Sequence, residues 1–194
     1  MSNAGGMSTL TRYTDMLAGN AVWNPWEPQG ALDALSTVTV PSGGVASITF
    51  AGIPSTYKHL QIRAIAKSTS TASQGDLTFN GDTGSNYAWH QLFGNGSSAG
   101  ADNSTSRANI VGVASLVNSS ITNVFSASII DILDYTANKN KTVRHLVGQD
   151  ENGSGVISLN SGLWMNTSAI NTITITARSN AIAQYSQFTL YGVK

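Results

Sequence analysis

Apolar and polar residues alternate with a period of two along most of the chain after residue 35. This spacing places successive side chains on opposite faces of a β-strand. In the segment that shows it best, one face consists of Leu60, Ile62, Ala64 and Ala66. The opposite face of that segment consists of His59, Gln61, Arg63 and Lys67. Phe188 and Leu190 share a face in the same way, which predicts that the chain ends in a structural strand.

The alternation predicts about ten strands, separated by turns in which Gly and Asn accept a positive φ at little cost. The predicted strands span residues 36–40, 45–51, 58–67, 76–80, 87–93, 107–113, 123–135, 142–149, 156–165, 171–177 and 186–193. We expect the first two to form a hairpin through residues 41–44. Residues 94–106 are rich in Ser, Gly and Asn, and they predict an exposed, mobile loop.

Short strands without helix-length periodicity predict an all-β body over residues 36–194, an antiparallel β-sandwich of the jelly-roll kind. Residues 1–35 differ, because two tryptophans and two prolines occur close together there: Trp23, Pro25, Trp26 and Pro28. Proline favours an extended backbone, and Trp often anchors interfaces. We interpret this segment as an extended N-terminal docking arm. The alternative is that it folds back into a groove of its own domain.

Composition narrows the possible partners. Only 10% of the residues are charged, against roughly 25% in an average soluble domain, and the ten basic residues balance the ten acidic ones. A neutral chain lacks the basic patch that nucleic acid or a membrane surface requires, so neither is expected as a partner. A polar, uncharged surface suits a subunit packed against neighbours. The alternative is an exposed monomer that tolerates the same composition.

Several classes of chemistry are excluded or disfavoured by the residue types. The chain has no cysteine, which excludes disulfides, thiolate metal sites and thiol nucleophiles. His59, His90 and His145 all fall in predicted strands without metal-pair spacing, so we interpret them as hydrogen-bonded strand residues. The N-terminus resembles no secretory signal, which predicts synthesis in a cytoplasm.

A glycosidase needs two carboxylates that act together on one substrate. Asp131 and Asp134 are three residues apart in a predicted strand and therefore point to opposite faces, which disfavours a glycosidase pair. We expect one of them to be a buried carboxylate paired with Arg63 or Arg144. The sequence contains no other arrangement typical of a hydrolase, and it predicts a non-enzymatic protein.

A weak calcium-loop pattern begins at Asp150 and continues through Asn152 and Ser154. The twelfth position is Ser161 instead of a bidentate Glu, and the flanking segments read as strands. A hairpin turn accounts for the same residues, so we expect neither a metal nor a cofactor.

A second possible site involves aromatic residues next to polar ones. Tyr87, Trp89, His90 and Trp164 could together stack on a sugar and hydrogen-bond it. These four residues are the predicted contacts of a glycan-binding module.

Several longer stretches resemble a module that recurs in uncharacterised phage tail and virion proteins. They are VASITF at 45–50, IPSTYKHL at 53–60, FNGDTGSNY at 79–87, IIDILDY at 129–135, GLWM at 162–165 and FTLYGVK at 188–194. The resemblance covers residues 36–194 and does not extend to the arm. It implies a particle component, commonly described as a tail or fibre protein, and it offers no catalytic residues to carry over.

These observations predict a structural component of a bacteriophage virion. The first expectation is a short tail fibre or adhesin-type subunit, a homotrimer anchored by its arm to other virion proteins of the tail or to the major capsid protein. One alternative is a capsid decoration or cement protein on the head. The other is a glycan-binding module that attaches the particle to a host surface glycan.

Overall fold

The structure is a computed structural model that describes residues 31–194. The predicted arm residues Trp23, Pro25, Trp26 and Pro28 lie outside the described residues. The first strand begins at Leu32, so residues 32–35 belong to the body instead of preceding it.

The described residues form twelve strands and no helix, which confirms the all-β prediction. The strands are β1 (Leu32–Thr39), β2 (Ser47–Ala51), β3 (His59–Ala66), β4 (Ser73–Phe79), β5 (Tyr87–Gly94), β6 (Ala99–Arg107), β7 (Ile110–Leu116), β8 (Ser126–Leu133), β9 (Lys141–Asp150), β10 (Gly155–Trp164), β11 (Thr172–Ala177) and β12 (Gln187–Val193).

The strands form two sheets, and all neighbouring strands within each sheet are antiparallel. The large sheet has eight strands in the order β1-β12-β3-β8-β9-β10-β5-β6, and the small sheet has four in the order β2-β11-β4-β7. The architecture is that of a β-sandwich, as predicted. The jelly-roll connectivity stays a prediction.

One hydrophobic core lies between the sheets, because the apolar side chains of the alternating strands point inward. The predicted inner face of β3 is confirmed, since Leu60, Ile62, Ala64 and Ala66 are all buried. Phe188 of β12 is also buried. The core is therefore built from the pattern that the sequence displays most clearly.

The predicted first hairpin is wrong. Strand β1 pairs with β12, whereas β2 pairs with β11 in the other sheet. The turn itself exists, with the amide of Gly44 donating to the carbonyl of Pro41 at 3.2 Å. It carries the chain from one sheet to the other, and both strands can then turn their apolar side chains toward the same core.

The predicted loop over residues 94–106 is also wrong, because β6 pairs with β5 along most of its length. Its residues are small or polar and mostly exposed on both faces, so the strand shows no apolar alternation. This composition is typical of an edge strand, which needs backbone pairing on one side only. The predicted strand 107–113 is in fact divided between β6 and β7, which belong to different sheets.

Candidate functional site

The outer faces of the two sheets differ in chemistry. The outward residues of the small sheet are mostly hydroxyl-bearing: Ser47, Thr49, Thr78, Thr174 and Thr176. Across β2 and β11 the hydroxyls of Thr49 and Thr174 are 3.2 Å apart, which is hydrogen-bonding distance. This face is well suited to solvent.

The outer face of the large sheet carries instead a row of aliphatic side chains, one from each of four neighbouring strands. Cross-strand pairing places Ile129 of β8 beside Leu146 of β9, Leu146 beside Leu159 of β10, and Leu159 beside Leu92 of β5. Directly paired residues of an antiparallel sheet lie on the same face. We call these four residues the aliphatic row; their exposed fractions are 41%, 45%, 51% and 58% in that order.

A second row runs parallel to the first and contains a depression. Pairing across the strands places Ala127 of β8, Gly148 of β9, Ile157 of β10 and Gly94 of β5 side by side. Ile157 is 59% exposed, but the two glycines beside it have no side chain. The result is an open groove of about 680 Å³, bordered by Phe125 and the β9–β10 hairpin. We call it the Gly148 groove.

Polar residues border the aliphatic row on its other side. Arg144 of β9 donates to Asp131 of β8 at 3.2 Å, and Gln61 of β3 donates to the other oxygen of Asp131 at 2.8 Å. The predicted pairing of one aspartate with Arg144 is confirmed. The predicted burial is wrong, because the Asp131 side chain is 24% exposed. The two charges of this ion pair cancel at the border of the row.

Asp134 lies outside the strand that contains Asp131, although the sequence predicted both in one strand. It follows β8 and forms ion pairs with Lys58 at 3.0 Å and with Lys139. The hydrogen bonds from Lys139 and Lys58 lower the pKa of Asp134 to about 2. This carboxylate is a structural ion-pair centre.

The predicted glycan contacts do not form one surface. Tyr87 and Trp164 are fully buried in the core, where their rings stack with centroids 6.3 Å apart, so neither can contact a sugar. Trp89 and His90 are adjacent in β5 and point to opposite faces, and only His90 is exposed. The prediction is wrong because Tyr87 and Trp89 of β5 and Trp164 of β10 lie on the faces of their strands that point to the core.

Asp82 explains why Trp164 can be buried. Its carboxylate accepts hydrogen bonds from the indole Nε1 of Trp164 at 2.8 Å, from the amide of Gly84 at 2.9 Å and from the side chain of Asn86. The Trp164 bond is the largest cause of the lowered pKa of Asp82. The phenol of Tyr87 donates to the carbonyl of Asp82 at 3.0 Å. The residues around Asp82 thus satisfy the polar atoms of the aromatic core.

The weak calcium pattern lies in the β9–β10 hairpin. The Asp150 carboxylate accepts a hydrogen bond from the amide of Asn152 at 2.8 Å, and Ser154 donates to Glu151. These are local turn interactions. Among residues 31–194, no group of three or more His, Asp or Glu side chains is arranged to hold a metal ion.

The three histidines all lie in strands. The predicted interpretation as a hydrogen-bonded residue fits His59 but not His145. The amide of Asp134 donates to Nδ1 of His59 at 2.9 Å. His145 is buried, and neither ring nitrogen has a hydrogen-bond partner among the described residues. Burial lowers the pKa of His145 to about 4, so the ring is neutral at pH 7. The prediction of a hydrogen-bonded histidine is wrong at this position.

Lys141 is a buried residue that the sequence did not single out. Its ammonium donates to four backbone carbonyls, including those of Ala137 at 2.8 Å and Thr167 at 3.1 Å. It thereby joins the β8–β9 turn to the segment that follows β10. Burial lowers its pKa from the ordinary value.

Comparison of the chain with protein-family models, curated proteins and solved structures gives no match. Within the described part of the chain there is no helix of the length and apolarity needed to cross a membrane. The function is therefore inferred from the residues of this chain. Of the surfaces described above, the outer face of the large sheet departs most from the chemistry of a solvated surface.

Proposed function

We propose that this chain is a non-enzymatic structural subunit of a bacteriophage particle, of the short tail fibre or adhesin type. The subunit assembles as a homotrimer and is held in the particle by other virion proteins. The resemblance of residues 36–194 to phage tail and virion modules supports the origin. The aliphatic row supports the assembly.

The aliphatic row is the observation that carries this proposal. Its four large side chains, from Ile129 to Leu92, are adjacent and between 41% and 58% exposed. Contiguous apolar patches of this kind mark interaction sites, because a soluble monomer gains nothing by exposing them. The net charge is zero, so little electrostatic repulsion keeps neighbouring molecules apart. A subunit that remains in an assembly buries such a patch permanently.

Glycan binding receives less support than assembly. Tyr87 and Trp164 provide no stacking surface, since both are inside the core. His90 remains exposed, but Trp89 points away from it. Attachment to a host glycan would therefore need residues other than the four predicted ones.

Immunogold electron microscopy of particles that encode this chain tests the proposal. An antibody against the body is expected to label the tail. Labelling of the head instead would favour the alternative of a capsid decoration protein, which would assemble through the same outer face of the large sheet. Absence of the chain from purified particles, checked by mass spectrometry, would refute both.

A truncation tests the arm separately. Deletion of residues 1–30 leaves β1 intact, whereas deletion of 1–35 would remove part of that strand. We expect the shorter deletion to keep the thermal transition of the body and to lose incorporation into particles. Normal incorporation of the truncated chain would contradict the docking arm.

A further inference from the structure

We infer that the outer face of the large sheet binds a second copy of this chain, with aliphatic side chains of one copy seated in the Gly148 groove of the other. This inference rests on the proposed function, because it names the partner through which the subunit assembles. It is carried by the shape, the charge and the extent of the face.

The face contains both a projecting and a receiving surface. Leu92, Leu159 and Ile157 are each more than half exposed and project from neighbouring strands β5 and β10. The Gly148 groove lies beside them, and a Cβ added at Gly148 would have no atom within 4 Å. In a symmetric oligomer the same residues occur on every copy, so each copy can supply the projecting side chains and receive those of its neighbour.

The charges on this face favour a copy of the chain over a charged partner. Asp131 and Arg144 neutralise each other within one molecule, and Arg63 lies over the ring of Tyr191, 5.5 Å from its centroid. These groups lie around the aliphatic row and not within it. Arg63 beside Ile129 and Asp150 at the Gly148 groove form no ion pair among the described residues, but their charges are opposite in sign. The face therefore carries no net charge, and two identical faces meet without net repulsion. An apolar centre with a polar border is the usual organisation of a stable interface.

The extent of the face matches what a stable interface requires. Six neighbouring strands, from β3 to β6 in the order of the sheet, contribute to it, and most have eight to ten residues. With about 4.8 Å between strands and about 3.4 Å per residue, the face measures on the order of 800 Å². A standard interface removes about 800 Å² from each partner.

Light scattering coupled to size-exclusion chromatography of the full chain tests the inference. The wild-type mass is expected to be that of the proposed trimer, and Leu159→Asp is expected to give the monomer mass. The matched control is Thr174→Asp on the outer face of the small sheet, which is expected to keep the wild-type mass. Circular dichroism and the melting temperature show whether each variant is folded.

Gly148→Leu gives a second, independent test. The φ of Gly148 lies outside the left-handed region and the space around its Cβ is empty, so leucine is accommodated without strain. We expect this variant to fold normally and to lose the oligomer, because the new side chain fills the groove. Retention of the wild-type mass by both Gly148→Leu and Leu159→Asp would overturn the inference.

A monomeric wild-type chain would also overturn it. If deletion of residues 1–30 then produced association, the face would be covered by the chain's own N-terminal segment. Failure of the proposed function has a different signature, since the chain would then be absent from particles while still forming an oligomer through this face.

Discussion

The Asp82 carboxylate accepts a hydrogen bond of 2.8 Å from the indole of Trp164, a residue 82 positions further along the chain. This bond satisfies the polar atom of a tryptophan whose ring is otherwise enclosed by Phe79 and Tyr87. A buried tryptophan usually needs such a partner. Asp82 is therefore a structural residue that joins the turn after β4 to the end of β10.

Substitution Asp82→Ala is expected to lower the free energy of unfolding by about 2 kcal/mol, because it leaves the Trp164 Nε1 buried without its acceptor. Urea unfolding followed by tryptophan fluorescence, at one protein concentration, measures the change. The pKa of Asp82 is lowered from 3.8, so this stabilisation is complete above that pH and is lost on further acidification.

Asp102→Ala provides the control for Asp82. Asp102 lies on the exposed edge strand β6, where among residues 31–194 its carboxylate accepts a bond only from the neighbouring amide of Asn103. Its substitution is expected to change the stability by less than about 0.5 kcal/mol. Equal losses in the two variants would contradict the role assigned to Asp82.

His145 predicts a pH dependence of stability. Its pKa is about 4 in the folded chain and 6.5 when unperturbed, so the unfolded chain binds more protons between these values. Stability is therefore complete above pH 6.5 and falls as the pH is lowered toward 4, by up to about 3 kcal/mol. Urea midpoints at pH 7 and pH 4.5 measure this loss.

His145→Leu should remove most of that pH dependence, since leucine has no proton to gain and no unpaired ring nitrogen. His90→Gln is the matched control for replacement of a histidine, since His90 is exposed. Both variants are compared in the Leu159→Asp background, where the outer face is expected to be free, and His90→Gln is expected to keep the loss of stability that His145 causes. If His145→Leu lost stability on acidification as steeply as the wild type, the assignment to His145 would be wrong.

The architecture could be predicted from the sequence where one face of a strand is apolar and the other polar. Strand β3 is the clearest case, since its alternation separates Leu60 and Ile62 from Gln61 and Arg63. Strand β6 could not be recognised, because its polar residues are exposed on both faces and only backbone pairing holds it. The pairing of β1 with β12 was not predicted, because a turn as short as residues 41–44 can either close a hairpin or carry the chain from one sheet to the other.

The aliphatic row was missed although its signal is present in the sequence. Ile129 and Ile130 are consecutive apolar residues of β8, and Leu146 and Val147 are consecutive in β9, so the strict alternation fails there. Runs with apolar residues on both faces are typical of strands that are covered on both faces. The glycan prediction failed for a related reason. The presence of Tyr or Trp in a strand does not show whether its side chain points to the core or to solvent.

Lys141 is expected to be essential for the stability of the turns that it joins. Lys141→Met keeps the length of the side chain but removes the donor to four carbonyls, and we expect a loss of about 2 to 3 kcal/mol. Thermal unfolding at pH 7 measures it. Lys194→Met is the control, because the ion pair of Lys194 with Asp33 is exposed and screened by solvent and should contribute little to stability. A similar loss in both variants would contradict the role of Lys141.

The Asp131–Arg144 pair is expected to matter more for association than for folding. The Arg144 side chain is 67% exposed, so a double-mutant cycle of Asp131→Ala and Arg144→Ala should give a coupling of less than about 1 kcal/mol to stability. The cycle is measured in the Leu159→Asp background, where the chain is expected to be monomeric.

In the oligomer, Arg144→Ala alone leaves Asp131 unneutralised at the border of the aliphatic row. We therefore expect weaker association in the single variant and partial recovery in the double variant. Equal association in both would show that the ion pair lies outside the contact.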